Sequence, residues 1–196
     1  MKNFNEFVTD YYSRFSDALL AFDKAPLNEV LSVMDELAKT GSTLWVAGNG
    51  GSAAIANHTI CDMTKGTRCG HAAQPAIRTQ SLAANVPMIT ALGNDVGYEY
   101  IFVRQLEYYL KPQDAVLLVS SSGNSPNVVK ACEYANAQGV PTIAFVGFKG
   151  GKLKELAKHV VWVPVENYGI VEDAHQSLIH VLSQYIRGRA ESTFGD

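Results

Sequence analysis

Two hydrophobic rhythms divide the chain. Phe4, Phe7, Tyr11, Phe15, Leu19 and Phe22 recur at intervals of three or four, which draws one apolar stripe along an amphipathic helix. Pro26 suits the first position of a second helix, whose stripe is Leu27, Val30, Leu31, Met34, Leu37 and Ala38. From Thr43 the rhythm changes to short apolar runs, each closed by Gly or Ser and followed by a helical stretch. Residues 43–47, 114–119, 141–146 and 159–163 are predicted strands, with 75–79 a weaker fifth. Runs such as Ala-Val-Leu-Leu-Val are continuous rather than alternating, as strands covered on both faces of a parallel sheet are. The expected class is α/β: a three-layer αβα sandwich with a five-stranded parallel sheet, preceded by N-terminal helices.

The length of 196 residues fits one domain, with residues 1–40 a helical segment that suits pairing with a second copy and 41–196 the α/β core. Sixteen basic residues against nineteen acidic give a net charge of −3, so no cationic field draws the chain to nucleic acid or acidic lipid. A bound phosphate must therefore be held locally. Three cysteines, Cys61, Cys69 and Cys132, are odd in number and lack CxxC spacing, which excludes a complete disulfide framework, and Cys61, beside Asp62, is expected to pack rather than to ligate. The N-terminus lacks a basic-then-apolar signal pattern, and no run approaches the roughly 20 apolar residues of a membrane span. The expected location is cytoplasmic.

In open parallel sheets, ligands bind beyond the carboxyl ends of the strands. There the first strand runs into Gly48-Asn49-Gly50-Gly51-Ser52 and then a helix, a segment whose amides can face an anion. It also satisfies a relaxed dinucleotide fingerprint, but residues 68–80 contain no Asp or Glu for a ribose, which argues against NAD. The third strand ends in Ser120-Ser121-Ser122-Gly123-Asn124-Ser125-Pro126, where clustered hydroxyls and amides can surround a dianion and Ser125 can cap the next helix. Two such loops favour a small phosphorylated ligand. His58 and Asp62, four apart, share one helix face and suit metal ligation or a carboxylate steered by an imidazole. The last helix, about residues 170–187, carries Glu172, Asp173, His175 and His180 beside an apolar stripe; helical geometry leaves open which acid accompanies His180, and His175 stands open between a solvated group and a functional one. Residues 93–98 are expected to form a turn between helices in which Asn94 or Asp95 can meet sugar hydroxyls. His71 and His159 carry no functional assignment.

Taken together, residues 48–52 with His58, 93–95 with Gly97, 120–125, and the late Glu172 and His180 resemble the sugar isomerase (SIS) domain, more narrowly the phosphoheptose isomerase group. The likeness spans about the whole chain. It implies interconversion of sedoheptulose 7-phosphate with an aldoheptose 7-phosphate, in a homotetramer that the N-terminal helices help to build. It places Asn49, Gly50, Gly51, Ser52, Asn94, Asp95, Ser120, Ser121, Ser122, Ser125, Asp62 and Glu172 at the substrate. It makes His58, Asp62, Glu172 and His180 ligands of a divalent metal, zinc, with Asp62 and His180 the proton-transfer pair. The chain departs from the pattern at Asp62 (Glu in the group), Glu172 (Gln), Gly66 (Arg) and Gly169 (Asp). Those departures leave two alternatives open: an isomerase or epimerase of another sugar phosphate, or a non-catalytic SIS protein that binds a phosphosugar or associates with a replication initiator.

Overall fold

Five parallel strands carry the fold: β1 (Thr43–Ala47), β2 (Arg78–Ser81), β3 (Ala115–Ser120), β4 (Thr142–Val146) and β5 (His159–Trp162), in the order β2-β1-β3-β4-β5. The structure is a computed structural model that describes residues 3–70 and 75–194, so His71 lies outside the described residues. Nine residues or more make up each of the helices α1 (Phe4–Ala21), α2 (Pro26–Thr40), α3 (Gly51–Cys61), α4 (Val86–Asp95), α5 (Ile101–Tyr109), α6 (Pro126–Ala137) and α8 (Tyr168–Phe194), while α7 (Gly151–Leu156) is shorter.

Side-chain alternation along each strand feeds two cores. Leu117 and Val119 of β3 point to the layer of α1, α2, α3 and α8, while Val116 and Leu118 point to the layer of α4 to α7. Every residue of β3 and β4 is buried, as the continuous apolar runs require. The strands thus fall where predicted, with one shift: β2 starts at Arg78, which pairs with Thr43 of β1, rather than at Pro75. Proline has no N–H to give to a ladder, so the strand begins beyond it. At the other end α8 runs on to Phe194, past the expected stop near Arg187, where Arg187 bridges Glu191 (2.7 Å) one turn later.

The stripe of α1 is divided between two uses. Tyr11, Phe15, Leu19 and Phe22 pack against the first core, whereas Phe4 (77% exposed) and Phe7 remain on the surface, as does Leu20 outside the stripe. No helix among the described residues is long and apolar enough to cross a membrane.

The connections place the site. β1 leaves into α3 on one face of the sheet and β3 leaves into α6 on the other, so the two loops diverge above neighbouring strands. That reversal is the switch point at which a crevice opens in doubly wound sheets.

Candidate active site

The crevice is a cavity of about 220 Å³ lined by Asn49, Gly50, Gly51 and Ser52 from the first loop, Ser120, Ser121, Ser122 and Ser125 from the second, and Tyr168 and Glu172 from α8. All eight loop positions expected at a phosphosugar are therefore brought together. The serine loop is braced from outside. The Gly147 amide donates to the Ser121 carbonyl (2.9 Å), Leu153 to Gly123 (3.0 Å), and Lys152 to the Asn124 side chain (3.0 Å). Ser121 is buried and its hydroxyl has no partner, and Ser125 starts α6 without its hydroxyl capping it, contrary to the expected cap. Both hydroxyls are thus uncommitted at the rim of the cavity, where a buried unpaired polar atom otherwise costs stability.

A second cleft shares the Gly51 and Glu172 wall and adds His58, Gln176 and His180. The backbone after α3 widens into a π turn, Asp62–Gly66, a form common at functional sites. It carries Asp62 into a group with two imidazoles. His58 Nε2 is 3.3 Å from Asp62 Oδ1, His180 Nε2 is 3.4 Å from Asp62 Oδ2, and the two Nε2 atoms are 3.3 Å apart. Gln176 donates its amide to His180 Nε2 at 3.0 Å, which makes that nitrogen an acceptor. Asp62 Oδ2 is buried without a hydrogen bond. Two imidazole nitrogens and a carboxylate within 4.8 Å of one another, one oxygen of it orphaned, form a donor set that fits a divalent ion such as zinc with positions to spare.

Glu172 stands apart from this three-residue group. Its carboxylate lies over Gly51, in the space a side chain there would fill, and borders both clefts. Burial, and then the neighbouring Asp173 charge, hold its pKa above the usual carboxylate range. Asp173 itself is engaged elsewhere: the Tyr11 hydroxyl donates to it at 2.8 Å, from α1 to α8. The same hydroxyl sits 2.8 Å from where a Cβ on residue 169 would be, so Tyr11 occupies the space in front of Gly169, where the resembled group has Asp. Sequence reasoning missed Tyr11, Tyr168 and Gln176, whose roles depend on contacts between distant segments.

Two expectations need correction, and the open reading of His175 is decided. Residues 93–95 close α4 rather than forming a turn between helices; Asn94 donates to Asp95 (2.7 Å), both are exposed, and neither lines the cavity. Cys61, expected to pack beside Asp62, is exposed. His175 is fully buried rather than solvated, because α8 turns it inward against Phe145, and neither ring nitrogen has a hydrogen-bond partner. Burial pushes its pKa down to about 4, outweighing an opposing effect of the Val146 backbone. The unfolded chain takes up this proton near pH ~6.5, but the folded chain resists until about pH 4, so stability present above ~6.5 falls by about 3 kcal/mol across that window. Thermal melts of the wild type should show this decline, and His175→Leu should flatten it.

The chain is similar to known proteins in sequence and fold. The SIS domain family model matches residues 4–147. The phosphoheptose isomerase of Trichlorobacter lovleyi is 38% identical over 179 residues, which cover 88% of this chain and 90% of the relative. The probable phosphoheptose isomerase of Thermoplasma volcanium is 33% identical over 181 residues, 91% of this chain and 90% of its own. Among solved structures, phosphoheptose isomerase from Neisseria gonorrhoeae superposes with a TM-score of 0.85 at 26% identity, over 94% of this chain and 98% of that one.

Proposed function

From a chain that belongs to the SIS-domain family, in its phosphoheptose isomerase branch, we propose an enzyme that interconverts a ketose and an aldose phosphate, most nearly sedoheptulose 7-phosphate and its aldoheptose isomer. The observation that carries the reading is the shared wall of the two clefts: a phosphate-type pocket lies against a carboxylate and two imidazoles.

The phosphate sits in the loop of residues 120–125, among the free hydroxyls of Ser121 and Ser125 and the amides at the start of α6, with Asn49, Gly50, Gly51 and Ser52 facing it. Its binding energy then holds the open-chain sugar so that the first two carbons lie at Asp62 and His180. One of this pair takes the proton beside the carbonyl and the other gives a proton to the neighbouring carbon or oxygen, through an enediol. The two oxygens of Asp62 face different imidazoles, so the carboxylate can be held by one oxygen while the other works. Glu172 stands between the clefts, where burial holds its pKa above the usual carboxylate range, and faces the path of the sugar. His58, Asp62 and His180 would hold the metal, with Glu172 a further carboxylate on the wall of the same cleft. Bound zinc would polarise the substrate oxygens and stabilise negative charge as it develops.

Exposed apolar residues on α1 (Phe4, Phe7, Leu20) and α8 (Val181, Tyr185) suit packing against further copies, in a homotetramer. Asn94 and Asp95 belong to the substrate side only through that assembly or a closed state. Three free cysteines suit the cytoplasm.

The test is a panel of ketose and aldose phosphates of five to seven carbons, followed by NMR with metal-loaded, chelator-treated and reloaded protein. Interconversion should be fastest with the seven-carbon pair, fall at least about tenfold on chelation and return on reloading. Conversion of none, with thermal stabilisation by one, would instead mark a binding protein.

A further inference from the structure

Asn127 is the second residue of α6 and only 1% exposed. A primary amide so enclosed has four hydrogen-bonding positions to satisfy and almost no access to water. It finds its partner on the other strand-end loop. Asn49 Nδ2 donates to Asn127 Oδ1 at 2.9 Å, and Asn127 Nδ2 donates back to Asn49 Oδ1 at 2.9 Å. The Tyr98 hydroxyl, from the short 3-10 turn before α5, donates to the same Asn49 oxygen at 2.9 Å.

We propose that Asn127 is a positioning residue of the isomerase: its reciprocal amide pair with Asn49 fixes that side chain and sets the spacing between the two loops. The proposal rests on the phosphosugar reading above. Asn127 follows directly on the serine loop, so it moves with the phosphate anchor. Asn49 leads into α3, which carries His58 and then Asp62, so it moves with the reacting end. The pair therefore spans the switch point and ties one end of the substrate's path to the other.

The pair also decides what Asn49 can offer. With Asn127 and Tyr98 both donating to it, its oxygen has both lone-pair positions filled, and one of its two N–H groups is used by Asn127. One N–H remains, on a residue that lines the cavity. Asn49 thus presents a donor, held in place before binding, to an acceptor oxygen of the ligand: a hydroxyl, a carbonyl or a phosphate oxygen. A side chain fixed in advance loses less entropy on binding. Tyr98 is the titratable group in direct contact with the pair, and the Lys130–Glu99 ion pair (3.5 Å) lies one turn further along α6.

The decisive variant is Asn127→Asp. Ionised, residue 127 still accepts from Asn49 but no longer donates to it; protonated, it restores both bonds, and burial raises its pKa into the assayable range. Steady-state kinetics on the ketose phosphate should show KM raised about tenfold or more at high pH and returning toward the wild type as pH falls, a limb the wild type lacks. Asn127→Ala should raise KM at every pH without that limb, while inorganic phosphate still shifts its melting temperature as it does in the wild type. If Asn127→Asp is too unstable to assay, Asn127→Ala alone decides. An unchanged KM in Asn127→Ala, or a constant ratio of Asn127→Asp to wild type across the pH range, overturns the proposal. Failure of the wild type to convert any sugar phosphate would overturn the underlying reading instead, so the two failures are distinct.

Discussion

Exchange of Asp62 for Ala is expected to lower kcat by about 10²–10⁴-fold, the range for loss of a positioned proton-transfer group, and exchange of His180 for Ala to do the same. The fold should survive both changes. Asp62 has a buried oxygen with no hydrogen bond, so its removal deletes a cost more than a support, and the His180 side chain is nearly half exposed. Kinetics beside thermal melts would separate the two effects: activity lost, melting temperature nearly kept. Activity retained in both variants would move the proton transfer away from this group. Asp62 is a methylene shorter than the Glu that the resemblance implies at this position. Asp62→Glu is consequently not a neutral change here, since about 1 Å of misplacement can cost a factor of a hundred.

The second large effect is expected at Gly123, in the middle of the serine loop. Its φ of +66° is the left-handed region that glycine tolerates, and a Cβ there would fall on the Gly150 carbonyl, which is backbone and cannot step aside like a side-chain tip. Strain and overpacking together should make Gly123→Ala destabilising by about 2–5 kcal/mol. The same change would push apart the loop and its brace, whose bonds include Leu153 to Gly123 at 3.0 Å. Denaturant melts should show the stability loss, and KM for the sugar phosphate should rise more than in a variant of equal stability loss made elsewhere, such as a truncated core residue on α2.

Residues whose function follows from their immediate neighbours were legible in the chain. The sheet announced itself because apolar runs covered on both faces leave no alternation, and the two loops did so because Gly or Ser clusters at strand ends have few other uses. His58 and Asp62 could be paired because a helix fixes what lies four residues on. Partners set by folding were not legible. Tyr11 and Asp173 are 162 positions apart, and Asn49 and Asn127 are 78 apart, so nothing local marks either pair. His175 reads as polar in the sequence, yet its place on α8 faces the core, a choice made by how that helix packs on β4. Asn94 and Asp95 look like a turn because Gly and Asx cluster there, but α4 reaches over them and its last turn absorbs them. Glu172 and Asp173 both line the second cleft, but Glu172 alone also borders the first, while Asp173 accepts from the Tyr11 hydroxyl, a contact that no local pattern marks.

The central claim is a proton transfer at Asp62 and His180 on a sugar anchored by its phosphate. It is tested most directly by running the conversion of sedoheptulose 7-phosphate in deuterium oxide and reading deuterium at the first two carbons by NMR. The expected result is solvent deuterium at the carbon beside the carbonyl, in product or in recovered substrate, present with the wild type and absent with Asp62→Ala. Conversion in which both carbons keep all their original hydrogen, or deuterium uptake that continues undiminished in Asp62→Ala, would contradict it.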